Sequence, residues 1–149
     1  MDLDNLIQAV RQAKRVFLCG NGGSAANAIH IANDLVSCGI SAFPLTADIA
    51  TLTAIANDFG FEHIFERQIL AHGEEGDLLI VLSGSGNSMN VLLALEAARE
   101  RNMNSWAIVG EKGGAAPRHA ANCLKVGKDM QAAEEAQVQI GHALMRALR

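Results

Sequence analysis

A chain of 149 residues, half of them hydrophobic and 19% charged, is long enough to bury a two-sided core and reads as one domain over 1–149. A formal net charge of −4 argues against a broad nucleic-acid surface. Aromatic residues are only 4%, and alanine and leucine carry most of the apolar content, which favours alternating strands and helices over a β-sandwich.

Leu3 to Lys14 reads as a short amphipathic helix, with Leu6, Val10 and Ala13 on one stripe. Val16-Phe17-Leu18-Cys19 is a short apolar run, a buried strand. Gly20-Asn21-Gly22-Gly23 breaks it, and helical spacing resumes at Ser24, the expected N-cap, as far as about Ser37, with Gly39 as the stop. Ile40 to Leu45 is a second strand. Ala50 to Asn57 is helical, Asn57-Asp58-Phe59-Gly60 is a turn with a polar tip, and Phe61 to His72 is a further helix ended by Gly73. Asp77 to Leu82 is the most apolar run and the best central strand. Ser83-Gly84-Ser85-Gly86-Asn87-Ser88 follows, then an amphipathic helix from Met89 to Arg101. Ser105 to Val109 is the fourth strand, Ala115 to Ala121 a short helix, Cys123 to Val126 the fifth strand, and Gln131 to Leu148 a long closing helix. Strands alternating with helices imply an α/β fold in three layers, a doubly wound, parallel, five-stranded sheet, for which the flavodoxin-like order 2-1-3-4-5 is expected.

No stretch reaches the length of a membrane span, and the acidic, amphipathic start MDLDNLIQAV is unlike a signal peptide. Cys19, Cys38 and Cys123 are odd in number and far apart, so they read as reduced thiols of a cytoplasmic protein.

Two loops carry the functional signal. In a sheet of this order the switch point lies between strands 1 and 3, and ligands bind outside their C-terminal ends. Gly20 to Gly23 lets a backbone approach a ligand at a helix N-terminus, where unpaired N–H groups attract anions. Ser83, Ser85 and Ser88 set three hydroxyls beside glycines at another helix start, which suits a phosphate monoester. A dinucleotide reading competes: Gly20-x-Gly22-x-x-Ala25 matches that fingerprint, and Asp48 lies roughly where a ribose-binding acid is sought. It leaves the serine loop redundant. No GxxxxGK[ST] P-loop occurs.

His30 and Asp34 are i and i+4 on the helix after the first loop and share a face. Glu134 and His142 are eight apart on the last helix, about 80° apart around its axis. Two imidazoles and two carboxylates suit either a divalent-metal site or acid/base pairs. The bland alternative is solvated or satisfied polar residues.

CGNGGSAANAIHIANDL, NDFGF, SGSGNS and EEAQVQIGHAL, in that order, resemble the bacterial phosphoheptose isomerases, which are sugar-isomerase (SIS) domain enzymes. The resemblance runs from about Arg15 to the C-terminus. It implies conversion of sedoheptulose 7-phosphate to D-glycero-D-manno-heptose 7-phosphate, a step of lipopolysaccharide heptose biosynthesis. By that resemblance Asn21, Gly22 and Gly23 contact substrate, as do Asn57 and Asp58. Ser83, Gly84, Ser85 and Ser88 bind phosphate, and His30, Asp34, Glu134 and His142 hold zinc. Asp34 or Glu134 is the base that moves the carbon-bound proton through an enediol, with His142 as partner acid.

Three positions depart from the family pattern. Asp34 replaces a glutamate, Glu134 a glutamine, and Gly84 a threonine. The two acid changes look complementary, with Asp34 mainly on the metal and Glu134 free to take the proton. The chain carries little of the N-terminal helix that helps build the family's homotetramer, and a dimer or tetramer is expected. The rival of another class is a non-catalytic SIS phosphosugar-binding regulator, of the type associated with the replication initiator.

Overall fold

The computed structural model describes residues 2–149. Its elements are α1 (Asp2–Gln12), β1 (Val16–Gly20), α2 (Gly23–Ser37), β2 (Ala42–Pro44), α3 (Ile49–Phe59), a 3-10 turn (Phe61–His63), α4 (Glu66–His72), β3 (Leu78–Ser83), α5 (Met89–Glu100), β4 (Asn104–Val109), α6 (Ala116–His119), β5 (Asn122–Lys125) and α7 (Met130–Leu148). The strands form one parallel sheet in the order β2-β1-β3-β4-β5. That is the predicted order.

Side chains alternate across the sheet with period two, and each face has its own core. Phe17, Cys19, Leu79, Val81, Ala107 and Val109 pack with Ile69 of α4 and Val91, Ala94 and Leu95 of α5. Val16, Leu18, Leu78, Ile80, Leu82, Trp106 and Ile108 pack with Leu6 of α1, Ile31 and Leu35 of α2 and Leu144 of α7. β1 and β3 are buried at every residue, so their unbroken apolar runs mark the sheet's centre. Burial pushes the Cys19 thiol well above its ordinary pKa, which leaves it an inert core residue.

In register, Gly20 stands beside Leu82, and Ser83 follows. The loops after β1 and β3 therefore leave the same edge of the sheet side by side.

Several boundaries differ from the sequence reading. Ser24 is not the N-cap of α2; Gly22 is, and it offers no side chain to cap with. The Ser24 hydroxyl is buried inside the first turn and bonds to Gln137 instead. Asn57 and Asp58 lie in the last turn of α3 rather than in a turn beyond it. The stretch from Phe61 to His72 is not one helix, because the 3-10 turn and α4 are separated at Ile64 and Phe65, both buried. Asp77 lies just before β3, with its carboxylate held by Arg15 at 2.7 and 3.2 Å and by the Glu74 amide at 2.9 Å. That pair in turn raises the Arg15 pKa.

Candidate active site

The crevice between the two loops has a volume of about 440 Å³ and is lined by Asn21, Gly22, Phe61, Glu62, Ser88, Met89 and Asn90. Its first wall is the loop after β1, which is held from outside itself. Asn21 and Asn90 exchange side-chain amide hydrogen bonds of 2.8 and 2.9 Å, which tie this loop to the first turn of α5. One N–H and one lone pair on each amide remain for other partners. Behind the loop, fully buried Gln137 of α7 bonds to Ser24 at 3.1 Å and accepts from Asn27 at 2.9 Å. Asn27 also donates to the Glu134 carbonyl at 3.1 Å. The Glu134 carboxylate packs against Gly23, with all three of its atoms within 2.7 Å of where a Cβ would stand. Any side chain at position 23 would displace it.

The second wall is the serine loop, which reaches the crevice through Ser88 and is held partly by its own serines and partly by the loop after β4. The Gly86 amide donates to Ser83 Oγ at 3.0 Å, and the Asn87 amide donates to Ser85 Oγ at 3.2 Å. Both hydroxyls accept in these bonds, so each keeps its own O–H to donate. Asn87 Oδ1 accepts from the Ala115 amide at 2.9 Å and anchors the loop to the next one. Ser88 is the N-cap of α5, and its side chain makes no capping bond. A second cavity of about 480 Å³ lies beyond the loop, with Ser85, Lys112 and Lys128 among its lining residues. Met130 of α7 covers Gly84, in space a Cβ there would need.

The third group lies between α2, which carries His30 and Asp34, and α7, which carries His142. His30 Nε2 and His142 Nε2 are 3.1 Å apart. Asp34 Oδ2 is 3.4 Å from the first and 3.8 Å from the second. That oxygen is buried and has no hydrogen-bond partner, so the two imidazoles are near it without satisfying it. Ligands at about 2.0–2.1 Å from a tetrahedral zinc stand about 3.3 Å apart. The three observed separations bracket that edge, and the orphaned oxygen is the kind of atom a cation satisfies. His30, Asp34 and His142 therefore fit a metal, and theirs is the one group of three such residues close enough among the described residues.

The SIS domain family model matches residues 3–110. The phosphoheptose isomerase of Aneurinibacillus thermoaerophilus is 41% identical over 93% of this chain and 73% of its own length. This chain belongs to the phosphoheptose isomerase family of SIS domains. Solved structures agree. The phosphoheptose isomerase of Francisella tularensis superposes with a TM-score of 0.90 at 30% identity, over 99% of this chain and 84% of that one. The enzyme of Neisseria gonorrhoeae gives 0.87 at 34%, over 98% and 82%.

On this phosphoheptose isomerase scaffold the residues singled out from sequence fall into separate places. Asn21, Gly22 and Ser88 line the crevice. Ser83, Gly84 and Ser85 form the turn beside it. Glu134 stands at the first loop and outside the metal-fitting group of three. Asn57 and Asp58 are exposed at the end of α3, joined to each other at 3.0 Å. Asp48 is not free for a ribose; it caps α3, accepting from Ala50 and Thr51. Asn90, Gln137 and Glu62 were missed by the sequence reading. The first two had a signal, a polar residue inside the buried stripe of an amphipathic helix.

Proposed function

We infer that this chain is an aldose–ketose isomerase that interconverts sedoheptulose 7-phosphate and D-glycero-D-manno-heptose 7-phosphate, in the cytoplasm, for lipopolysaccharide heptose biosynthesis. The likeness to phosphoheptose isomerases along nearly the whole chain carries the reading. Among the described residues no helix is long and apolar enough to cross a membrane, which is consistent with the location.

Ser83, Gly84, Ser85 and Ser88 take the phosphate, with two free O–H donors and the N-terminus of α5. The Glu134 carboxylate keeps a second anion away from the N-terminus of α2, so the substrate enters in one direction. Asn21, Gly22 and Gly23 then face the sugar chain. Fixing the phosphate aligns the two reacting carbons.

Isomerisation takes a proton from C2 of the aldose and returns one to C1, while a hydroxyl proton moves between O2 and O1. Glu134, at the first loop, is the proposed carrier of the carbon-bound proton. Asp34, with His30 and His142, holds zinc. When bound, the ion would supply Lewis acidity to a substrate oxygen presented to it across the subunit interface. His142 has two exclusive roles, because the same Nε2 faces the group: ligand when it holds an ion, partner acid when it does not.

Seven residues of helix, about 10 Å, separate Gly23 from His30. Within one subunit the metal group is thus remote from the loop. Both histidines are partly exposed, and Ile29 and Val36 expose apolar surface on the same helix. These features support a dimer or tetramer in which a neighbouring subunit completes the site, with Asn57 and Asp58 available to it.

The test is turnover of sedoheptulose 7-phosphate, with zinc measured by elemental analysis. Wild type should turn over and carry zinc, and His30→Ala with His142→Ala should lose the metal. Binding without turnover in the zinc-loaded wild type would replace this reading with that of a phosphosugar-binding regulator.

A further inference from the structure

Glu62 lines the crevice together with Asn21, Gly22, Ser88 and Asn90, and no role has yet been given to it. Its position is built rather than incidental. Gly60 adopts φ 112°, a backbone that L residues avoid, and a Cβ there would stand 2.8 Å from both Glu62 carboxylate oxygens. The glycine thus turns the chain and leaves room for the carboxylate. His63 stands on its other side: Nε2 is 3.6 Å from Glu62 Oε1, while Nδ1 is held by Glu66 Oε2 at 3.1 Å. The two carboxylates face opposite nitrogens of one ring, so they do not converge on a point and form no metal cup. Apart from His63, no group among the described residues pairs with the Glu62 carboxylate, which is about half exposed.

We propose that Glu62 is the specificity-determining residue of the crevice, which binds the hydroxyl groups of the phosphosugar's polyol chain. The proposal rests on the phosphosugar isomerase reading. An ionised carboxylate only accepts hydrogen bonds, and it has about four lone-pair sites. It repels a phosphate dianion and attracts hydroxyl donors. The crevice is therefore polarised, with Ser88 and the serine loop at the phosphate end and Glu62 at the polyol end. The ligand class is a phosphorylated, open-chain polyhydroxy compound. A bare phosphate engages only one end.

Calorimetric titration of wild type, Glu62→Ala and Glu62→Gln with sedoheptulose 7-phosphate and with inorganic phosphate tests this. The sugar phosphate should bind Glu62→Ala about ten- to a hundred-fold more weakly than wild type, the range for hydrogen bonds to a charged group. Glu62→Gln keeps one accepting oxygen and should lose less. Inorganic phosphate should bind both variants as well as wild type or better. Unchanged sugar-phosphate affinity in both variants overturns the proposal while the isomerase reading stands. Equal weakening of both ligands also overturns it, since Glu62 would then only shape the loop. A wild type that binds inorganic phosphate and no sugar phosphate removes the isomerase reading and this proposal together.

Discussion

The loops after β1 and β3 share one local grammar, strand, glycine turn, helix, and end with opposite electrostatics. The first is braced by distant partners: Asn90, Gln137 and the Glu134 carboxylate, which lies against its third glycine. The second is braced by backbone bonds from the loop after β4 and by its own serines, whose oxygens accept loop amides and whose O–H groups stay free to donate. A carboxylate at one helix N-terminus uses the attraction that a ligand anion would use; free hydroxyls at the other leave it open. A glycine-rich strand–helix turn is thus not an anion site until its neighbours are known.

Three experiments break or sharpen this contrast. The largest effect is expected at Glu134. Glu134→Gln should lower kcat about 10²–10⁴-fold if that carboxylate carries the proton. Asp34→Asn should act through loss of zinc, read by elemental analysis. Full activity in Glu134→Gln beside a dead, zinc-loaded Asp34→Asn would move the base to Asp34 and leave Glu134 as the first loop's charge alone.

A serine exchanged in each loop comes next. Ser85→Ala should weaken sugar-phosphate binding by about tenfold or more, because a hydrogen bond to a charged group contributes about 1.5–3 kcal/mol. Ser24→Ala should leave that affinity unchanged and lower the Tm instead, since its hydroxyl faces Gln137. Calorimetry and thermal denaturation separate the two. Equal affinity losses would mean that both loops touch the phosphate.

The smallest effect concerns α3, which rests on the core only through the partly buried Leu52, Ile55 and Ala56 and is capped by Asp48. Bonds from the Thr51 hydroxyl and from the Thr51 and Ala50 amides hold the Asp48 pKa below the usual carboxylate value of 3.8. A lowered folded-state pKa adds stability that is present above the unfolded value and lost as pH falls through the folded one. Protection factors in α3 should fall selectively below pH of about 3.8, and Asp48→Ala should show the low protection already at neutral pH. Identical protection in the two proteins at pH 7 would show that packing, not the cap, sets this helix.

The chain's local pattern carried the fold. Unbroken apolar runs at Val16–Cys19 and Leu78–Leu82, each followed by a glycine loop and a helical stripe, specify parallel strands and their crossover helices. The order 2-1-3-4-5 is not encoded in those runs, since doubly wound sheets take more than one order; it is set by how the strands pair. The phosphate-loop candidates and the i, i+4 pair His30 and Asp34 were equally legible, because each lies within one element. What tertiary structure decided are the pairings between elements far apart in sequence: Asn21 with Asn90, 69 residues on; Ser24 with Gln137, 113 on; His30 with His142, 112 on. No local propensity encodes these. They depend on how α2 packs against α7 and where α5 begins beside β1. The same packing sets Glu134 against Gly23 and outside the histidine group, although its spacing from His142 along α7 left either place open. Periodicity fixes which face of a helix a residue occupies, and only the contact between two helices fixes which residue it meets.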